Sequence, residues 1–112
     1  LLSIDLINQR NSTGCTAVYL SSFYGLLAYL KILADKGADL NQGDVNGYTP
    51  AYFAALGGHI ECLKFLSDRG ADLNLLNEHQ LNPAFAAART NQTTCLQFLA
   101  EKGVNLNQVA KD

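Results

Sequence analysis

Short apolar stripes at helical spacing alternate with polar, glycine-marked breaks along the whole chain. Ile60, Leu63 and Leu66 recur at helical spacing, Cys62 and Phe65 widen the stripe, and Glu61, Lys64 and Asp68 fall on the other side. This pattern predicts a helix over about 60–68, ended by Gly70 as a left-handed terminator. Upstream, Thr49-Pro50 sets a hydroxyl cap before a proline at the first helical position, which predicts a helix from Pro50 to about Gly57. Ala54 and Ala55 leave room for a neighbouring helix, Gly57-Gly58 break the chain, and His59 leads into the second helix. Before both helices, Asp44-Val45-Asn46-Gly47 reads as a polar turn.

The same unit recurs with a period of 33 residues. One period back, Gly47, Thr49, Tyr52 and Gly58 meet Gly14, Thr16, Tyr19 and Gly25, and the run Gly70 to Asn74 meets Gly37 to Asn41. One period forward, Pro50, Ala54-Ala55, Cys62-Leu63 and Phe65-Leu66 meet Pro83, Ala87-Ala88, Cys95-Leu96 and Phe98-Leu99, and Asn74 meets Asn107. The division that follows is repeat 1 at 11–43, repeat 2 at 44–76 and repeat 3 at 77–109. Residues 1–10 read as the tail of a preceding degenerate unit and 110–112 as the start of another. The chain therefore reads as a piece of a longer array, consistent with its start at Leu1. Neither helix of a unit is long enough to persist alone in water. Stacked units bury their apolar faces against one another in a quasi-one-dimensional array.

Gly47-Tyr48-Thr49-Pro50-Ala51-Tyr52-Phe53-Ala54-Ala55, then Gly58-His59, Leu63…Leu66 and Gly70-Ala71-Asp72-Leu73-Asn74, resembles the ankyrin repeat over essentially the whole chain. The resemblance implies an all-α solenoid of stacked helix-turn-helix units with β-hairpin-like loops. Several positions depart from it. The histidine of the family signature is Tyr19, Tyr52 and Phe85 here, so aromatic packing is expected to replace its hydrogen bond. Repeat 1 has Ala17 for the proline and Ser21-Ser22 for the alanine pair. Repeat 3 has Gln80 for the turn glycine, Asn82 for the threonine and Asn91-Gln92 for Gly-His. Repeat 2 should be the stable centre and repeat 3 the unit that opens most easily.

Composition narrows the function. Nearly half of the 112 residues are apolar, 16% are charged and the net charge is −2. The eight basic residues are scattered, so the cluster needed to neutralise nucleic-acid phosphates is missing. Ala17 to Ala34 carries only Lys31 as a charge and is nearly long enough for a bilayer, but the repeat register splits it into two short helices around Gly25. Three widely spaced cysteines, an odd number, point to a reducing compartment, cytoplasmic or similar, rather than to a secreted disulfide scaffold. No basic region precedes an apolar core at the start, so no signal peptide is read there.

No constellation supports catalysis, a cofactor or a metal. His59 and Cys62 supply two ligand types where a structural zinc needs four, and Gln92 breaks the pattern at Cys95. Cys62 and Cys95 read as small buried apolar groups. Cys15, at a tip, lacks the base that would activate a thiol. Gly57-Gly58 lies between helices and does not form a phosphate loop after a strand. The family resemblance also marks Asn41 and Asn74 as similar to substrates of an asparaginyl hydroxylase; holding the hairpin by side-chain hydrogen bonds is the plainer role.

Ankyrin-like arrays bind proteins through hairpin tips and the concave face of the first helix of each unit. Carried over by position, the expected surface is Ser12, Thr13, Cys15, Phe23 and Tyr24 in repeat 1. It is Val45, Asn46, Tyr48, Leu56 and Gly57 in repeat 2, and Glu78, His79, Leu81, Arg89 and Thr90 in repeat 3. Phe23, Tyr24, Tyr48, Leu56 and Leu81 are expected to form one exposed apolar strip with a polar rim. The expected function is a non-catalytic protein–protein interaction module, monomeric as a fragment, with a protein partner and neither nucleic acid nor membrane. The alternative is the targeting or substrate-recruiting arm of a larger enzyme or effector, whose catalytic domain lies outside these residues.

Overall fold

Three helix pairs follow one another along the chain in the computed structural model, which describes residues 4–107. A short entry helix α1 (Ile4–Ile7) precedes them; the pairs are α2 (Ala17–Phe23) with α3 (Leu27–Asp35), α4 (Pro50–Leu56) with α5 (Ile60–Asp68), and α6 (Pro83–Arg89) with α7 (Thr93–Glu101). The expected unit at 110–112, and residues 1–3 of the expected tail, lie outside the described residues. No strand forms among the described residues; the loops carry paired backbone bonds instead. The molecule measures 43 × 28 × 20 Å, the elongation of a short stack.

Each first helix starts on a side-chain cap. The Thr16, Thr49 and Asn82 oxygens accept from the backbone N–H of Tyr19, Tyr52 and Phe85 at 3.1, 3.1 and 3.0 Å. Such caps are worth about 1 kcal/mol each. Asn82 therefore keeps the role of the expected threonine, and its Nδ2 also donates to Asn105 O at 2.7 Å. Each second helix ends the same way. The N–H of Ala71 reaches back to Leu66 O at 2.9 Å, past Gly70 at φ +88°, and Ala38 and Val104 repeat the bond to Leu33 and Leu99.

The first helices pack side by side, α2 on α4 on α6, and the second helices α3, α5 and α7 form the outer row. The core runs continuously between the rows through Val18, Leu30, Ala54, Leu63, Leu66, Ala87 and Leu99, all inaccessible to solvent. Burying one such leucine contributes about 2 kcal/mol. Cys62 and Cys95 sit in this core as free thiols. The apolar Ala17–Ala34 stretch is broken at Gly25 into α2 and α3, and no described helix is long and apolar enough to cross a membrane.

Specific bonds join neighbouring units. The Asn8 and Asn41 Oδ1 atoms accept from the backbone N–H of Asp39 and Asp72, both at 2.8 Å, so these asparagines tie each unit to the next. His59 Nε2 lies 3.1 Å from Phe23 O. In repeat 3 the histidine is missing, but the Thr90 hydroxyl donates at 2.8 Å to Leu56 O, the carbonyl one period after that of Phe23. One expectation fails here. Tyr19, in the position of the family histidine, is not confined to aromatic packing: its hydroxyl donates to Asp44 Oδ2 at 2.9 Å. A tyrosine reaches further than a histidine and finds its acceptor on the tip of the following unit.

Repeat 3 carries the strain. Gln80 and Asn91 replace Gly47 and Gly58 of repeat 2 but keep their left-handed backbone, at φ +66° and +60°. A side chain there costs roughly 1–2 kcal/mol, least for asparagine. Asn77 Nδ2 is buried without a hydrogen-bond partner. Asp44, one period earlier, has at that place the oxygen that accepts from Tyr19.

Candidate functional site

The tips are built by one device used three times. Asn11, Asp44 and Asn77 each turn a side-chain oxygen back onto two backbone N–H groups of their own loop. The recipients of this bonding are Thr13 and Cys15, Asn46 and Tyr48, and His79 and Leu81, at 2.9–3.1 Å. Short polar side chains stabilise turns in this way. The tips are also linked: Val45 N–H donates to Thr13 O at 3.4 Å, and Glu78 N–H to Asn46 O at 2.9 Å. The side chains of Ser12, Thr13, Val45, Asn46, Glu78 and His79 are therefore displayed at fixed spacing, all exposed, with Val45 68% exposed. Glu78 Oε1 and His79 Nε2 approach to 3.4 Å at the surface, where such a pair contributes little. Cys15 is half-buried, with its sulfur 3.3 Å from the Thr13 hydroxyl.

Behind the tips lies a second apolar cluster, separate from the core between the helix rows. Tyr52, Leu81 and Ala86 are buried in it, and Tyr48, Phe53, Leu56 and Phe85 pack against them. Leu81 is only 7% exposed, which removes it from the exposed strip expected of it. Tyr48 and Leu56 are half-buried. The reason is the aromatic at each signature position: Tyr52 occupies the space between tip and helix, and the neighbouring apolar side chains close over it.

Phe53 is the hub of this cluster. Its ring lies 5.2 Å from Tyr19, 5.0 Å from Phe23, 5.6 Å from Tyr48 and 5.4 Å from Tyr52. Phe23 meets Tyr24 edge-on at 4.9 Å. An unbroken path of rings thus runs from the repeat 2 tip to the end of α2, where Phe23 is exposed and Tyr24 is 64% exposed. Gly57, Arg89 and Thr90 lie exposed at the ends of the other first helices. Sequence reasoning left Phe53 out because its equivalents, Leu20 and Ala86, are not aromatic; adjacency to Tyr52 was the available signal.

Titration follows from this packing. Burial pushes the Tyr19 phenol well above its ordinary value, and the Asp44 carboxylate beside it adds to the rise. Burial raises Tyr52 too; Tyr48 adds to this and Arg89 opposes it, which places the Arg89 charge within electrostatic reach of the cluster. Both phenols stay protonated at neutral pH, and that of Tyr19 donates to Asp44. Among the described residues no group of three or more His, Cys, Asp and Glu side chains is placed to hold a metal.

Stacked capped helix pairs, left-handed terminators and asparagine rungs between units define a helical repeat domain. A family model described as ankyrin repeats, three copies, matches residues 40–110, and the chain belongs to the ankyrin repeat family. The match begins at Leu40, yet repeat 1 ahead of it has the same two helices, cap and terminator. No curated protein sequence matches the chain significantly. Ankyrin repeats are in general protein–protein interaction modules and are typically non-catalytic.

Proposed function

We propose that the chain binds a partner protein through its three tips and the adjoining ends of the first helices, without catalysis of its own. The observation that carries this reading is the placement of Val45, Phe23 and Tyr24. Phe23 and Tyr24 stand exposed at one end of the ring cluster, and Val45 stands exposed on the repeat 2 tip, where Asn46 and, on the next tip, Glu78 and His79 supply polar neighbours. Aromatic and arginine anchors beside a polar rim are the usual composition of a binding hot spot. The rings are held by mutual packing and the tips by side-chain bonds, so little order has to be gained on binding.

Affinity capture with quantitative comparison tests the reading. Two variants alter exposed side chains, Tyr24→Ser with Val45→Ser on the proposed face and Lys64→Glu on the outer row. Proteins retained by the native chain and the outer-row variant, but reduced at least tenfold on the double variant, support it. Equal capture by all three, with unchanged circular dichroism, contradicts it.

A further inference from the structure

The two boundaries between repeats are built alike but charged differently. At the first, Asp44 directs Oδ1 to the backbone of its own tip and Oδ2 to the Tyr19 hydroxyl. At the second, Asn77 directs Oδ1 to its tip in the same way, so its amide nitrogen takes the place of Asp44 Oδ2. That nitrogen is buried without a partner, in a residue only 5% exposed. Tyr52, one period after Tyr19, is 4% exposed; its hydroxyl keeps contact with solvent and forms no hydrogen bond among the described residues. A carboxylate closes the first boundary. At the second, two donors stand in the corresponding places and the acceptor is missing, which leaves bonding capacity unused.

The charges follow the same contrast. Arg89 stands one and two periods after Leu56 and Phe23, so only repeat 3 carries a cation at the end of its first helix. It is exposed and forms no ion pair among the described residues. Burial dominates the titration of both phenols; beyond it, Tyr48 and Arg89 act on Tyr52 and no carboxylate does, whereas Asp44 acts on Tyr19. Glu78, next to Asn77 in the chain, lies 3.4 Å from His79. On the outer row, by contrast, Arg69 already holds Asp35 at 3.0 Å. A free guanidinium beside donors that lack an acceptor is matched by a carboxylate, which takes charge-assisted bonds from it.

We propose that the boundary between repeats 2 and 3 receives an acidic side chain, aspartate or glutamate, of the partner protein, with Arg89 as its ion-pair partner and the Tyr52 hydroxyl as a second donor. This rests on the binding face described above and adds its specificity. The first boundary carries its own carboxylate and has no such place. Complementary charge of this kind selects partners more than it adds affinity. The net charge of −2 disfavours acidic ligands in general, so a preference for them reports a local site.

The test selects random peptides displayed on phage against the whole 112-residue chain, then measures synthetic copies in solution. The selected peptides should be enriched in aspartate and glutamate. Replacing the acidic residue by its amide should weaken binding at least tenfold to the native chain and less than twofold to Arg89→Gln. Lys64→Gln, on the outer row, should keep the full difference. Asn77→Asp supplies the carboxylate from within; it should weaken the acidic peptide at least tenfold, with a urea midpoint no lower than that of the native chain. Peptides that lose binding on Tyr24→Ser with Val45→Ser but show no acidic preference overturn the acidic site and leave the binding face standing. Peptides indifferent to Tyr24, Val45 and Arg89 alike overturn both. An acidic preference that Lys64→Gln removes as fully as Arg89→Gln, or that survives Asn77→Asp unchanged, also overturns the proposal.

Discussion

The Tyr19 hydroxyl donates to the Asp44 carboxylate across the boundary between repeats 1 and 2, at 2.9 Å. Asp44 also organises its own tip through Oδ1, so a single side chain fixes a turn and joins two units. Tyr19→Phe keeps the ring contact with Phe53 and removes only this bond. It should destabilise by about 1.5–3 kcal/mol, the usual worth of a bond to a charged acceptor. Asp44→Asn preserves the turn, as Asn11 and Asn77 do in their units. Urea unfolding of the two single variants and the double variant should give a coupling of about 1 kcal/mol; strict additivity would contradict the bond.

Gln80→Gly should stabilise the protein by about 0.5–1 kcal/mol. It relieves a left-handed side chain, offset in part by the greater freedom glycine gives the unfolded chain. Asn91→Gly should be close to neutral, because asparagine tolerates this backbone. Urea midpoints of both variants measure the difference. A loss of stability in Gln80→Gly would show that its side chain contributes more than its backbone strain costs.

Stability should fall at alkaline pH in two stages. Burial raises the Cys62 and Cys95 thiols, with Glu61 adding to the rise at Cys62. The folded chain thus keeps protons that the unfolded chain loses above about pH 8.5. Stability is fully present below that pH and declines as pH rises through it. Tyr19 and Tyr52, also raised, add a second decline above about pH 10. The double variant Cys62→Ala with Cys95→Ala should lose the first stage and keep the second. Denaturation at a series of pH values reads both slopes; an unchanged slope between pH 8.5 and 10 would contradict the assignment.

Much of the fold was legible because local chemistry dictates it. The stripe Ile60–Leu63–Leu66 marked α5, Thr49-Pro50 marked the start of α4, and Gly25 separated α2 from α3. Contacts between units were less legible. The Tyr19–Asp44 bond depends on side-chain reach across a stack, and nothing near Tyr19 in sequence indicates it. The exchange of His59 for Thr90 moves a hydroxyl to a carbonyl through a different residue of the unit, so the motif looked lost while its bond was kept. Leu81 was misplaced because its neighbours in register, Cys15 and Tyr48, are more open. Its burial is decided by packing with Tyr52 and Ala86.

The most direct test of the binding account is hydrogen exchange of the chain with and without a partner obtained by capture. The account predicts slower exchange at the repeat 2 and repeat 3 tips, residues 44–48 and 77–81, and at the ends of α2 and α4, with α5 and α7 unchanged. Protection confined to the outer row α3, α5 and α7, with the tips unaffected, would contradict it.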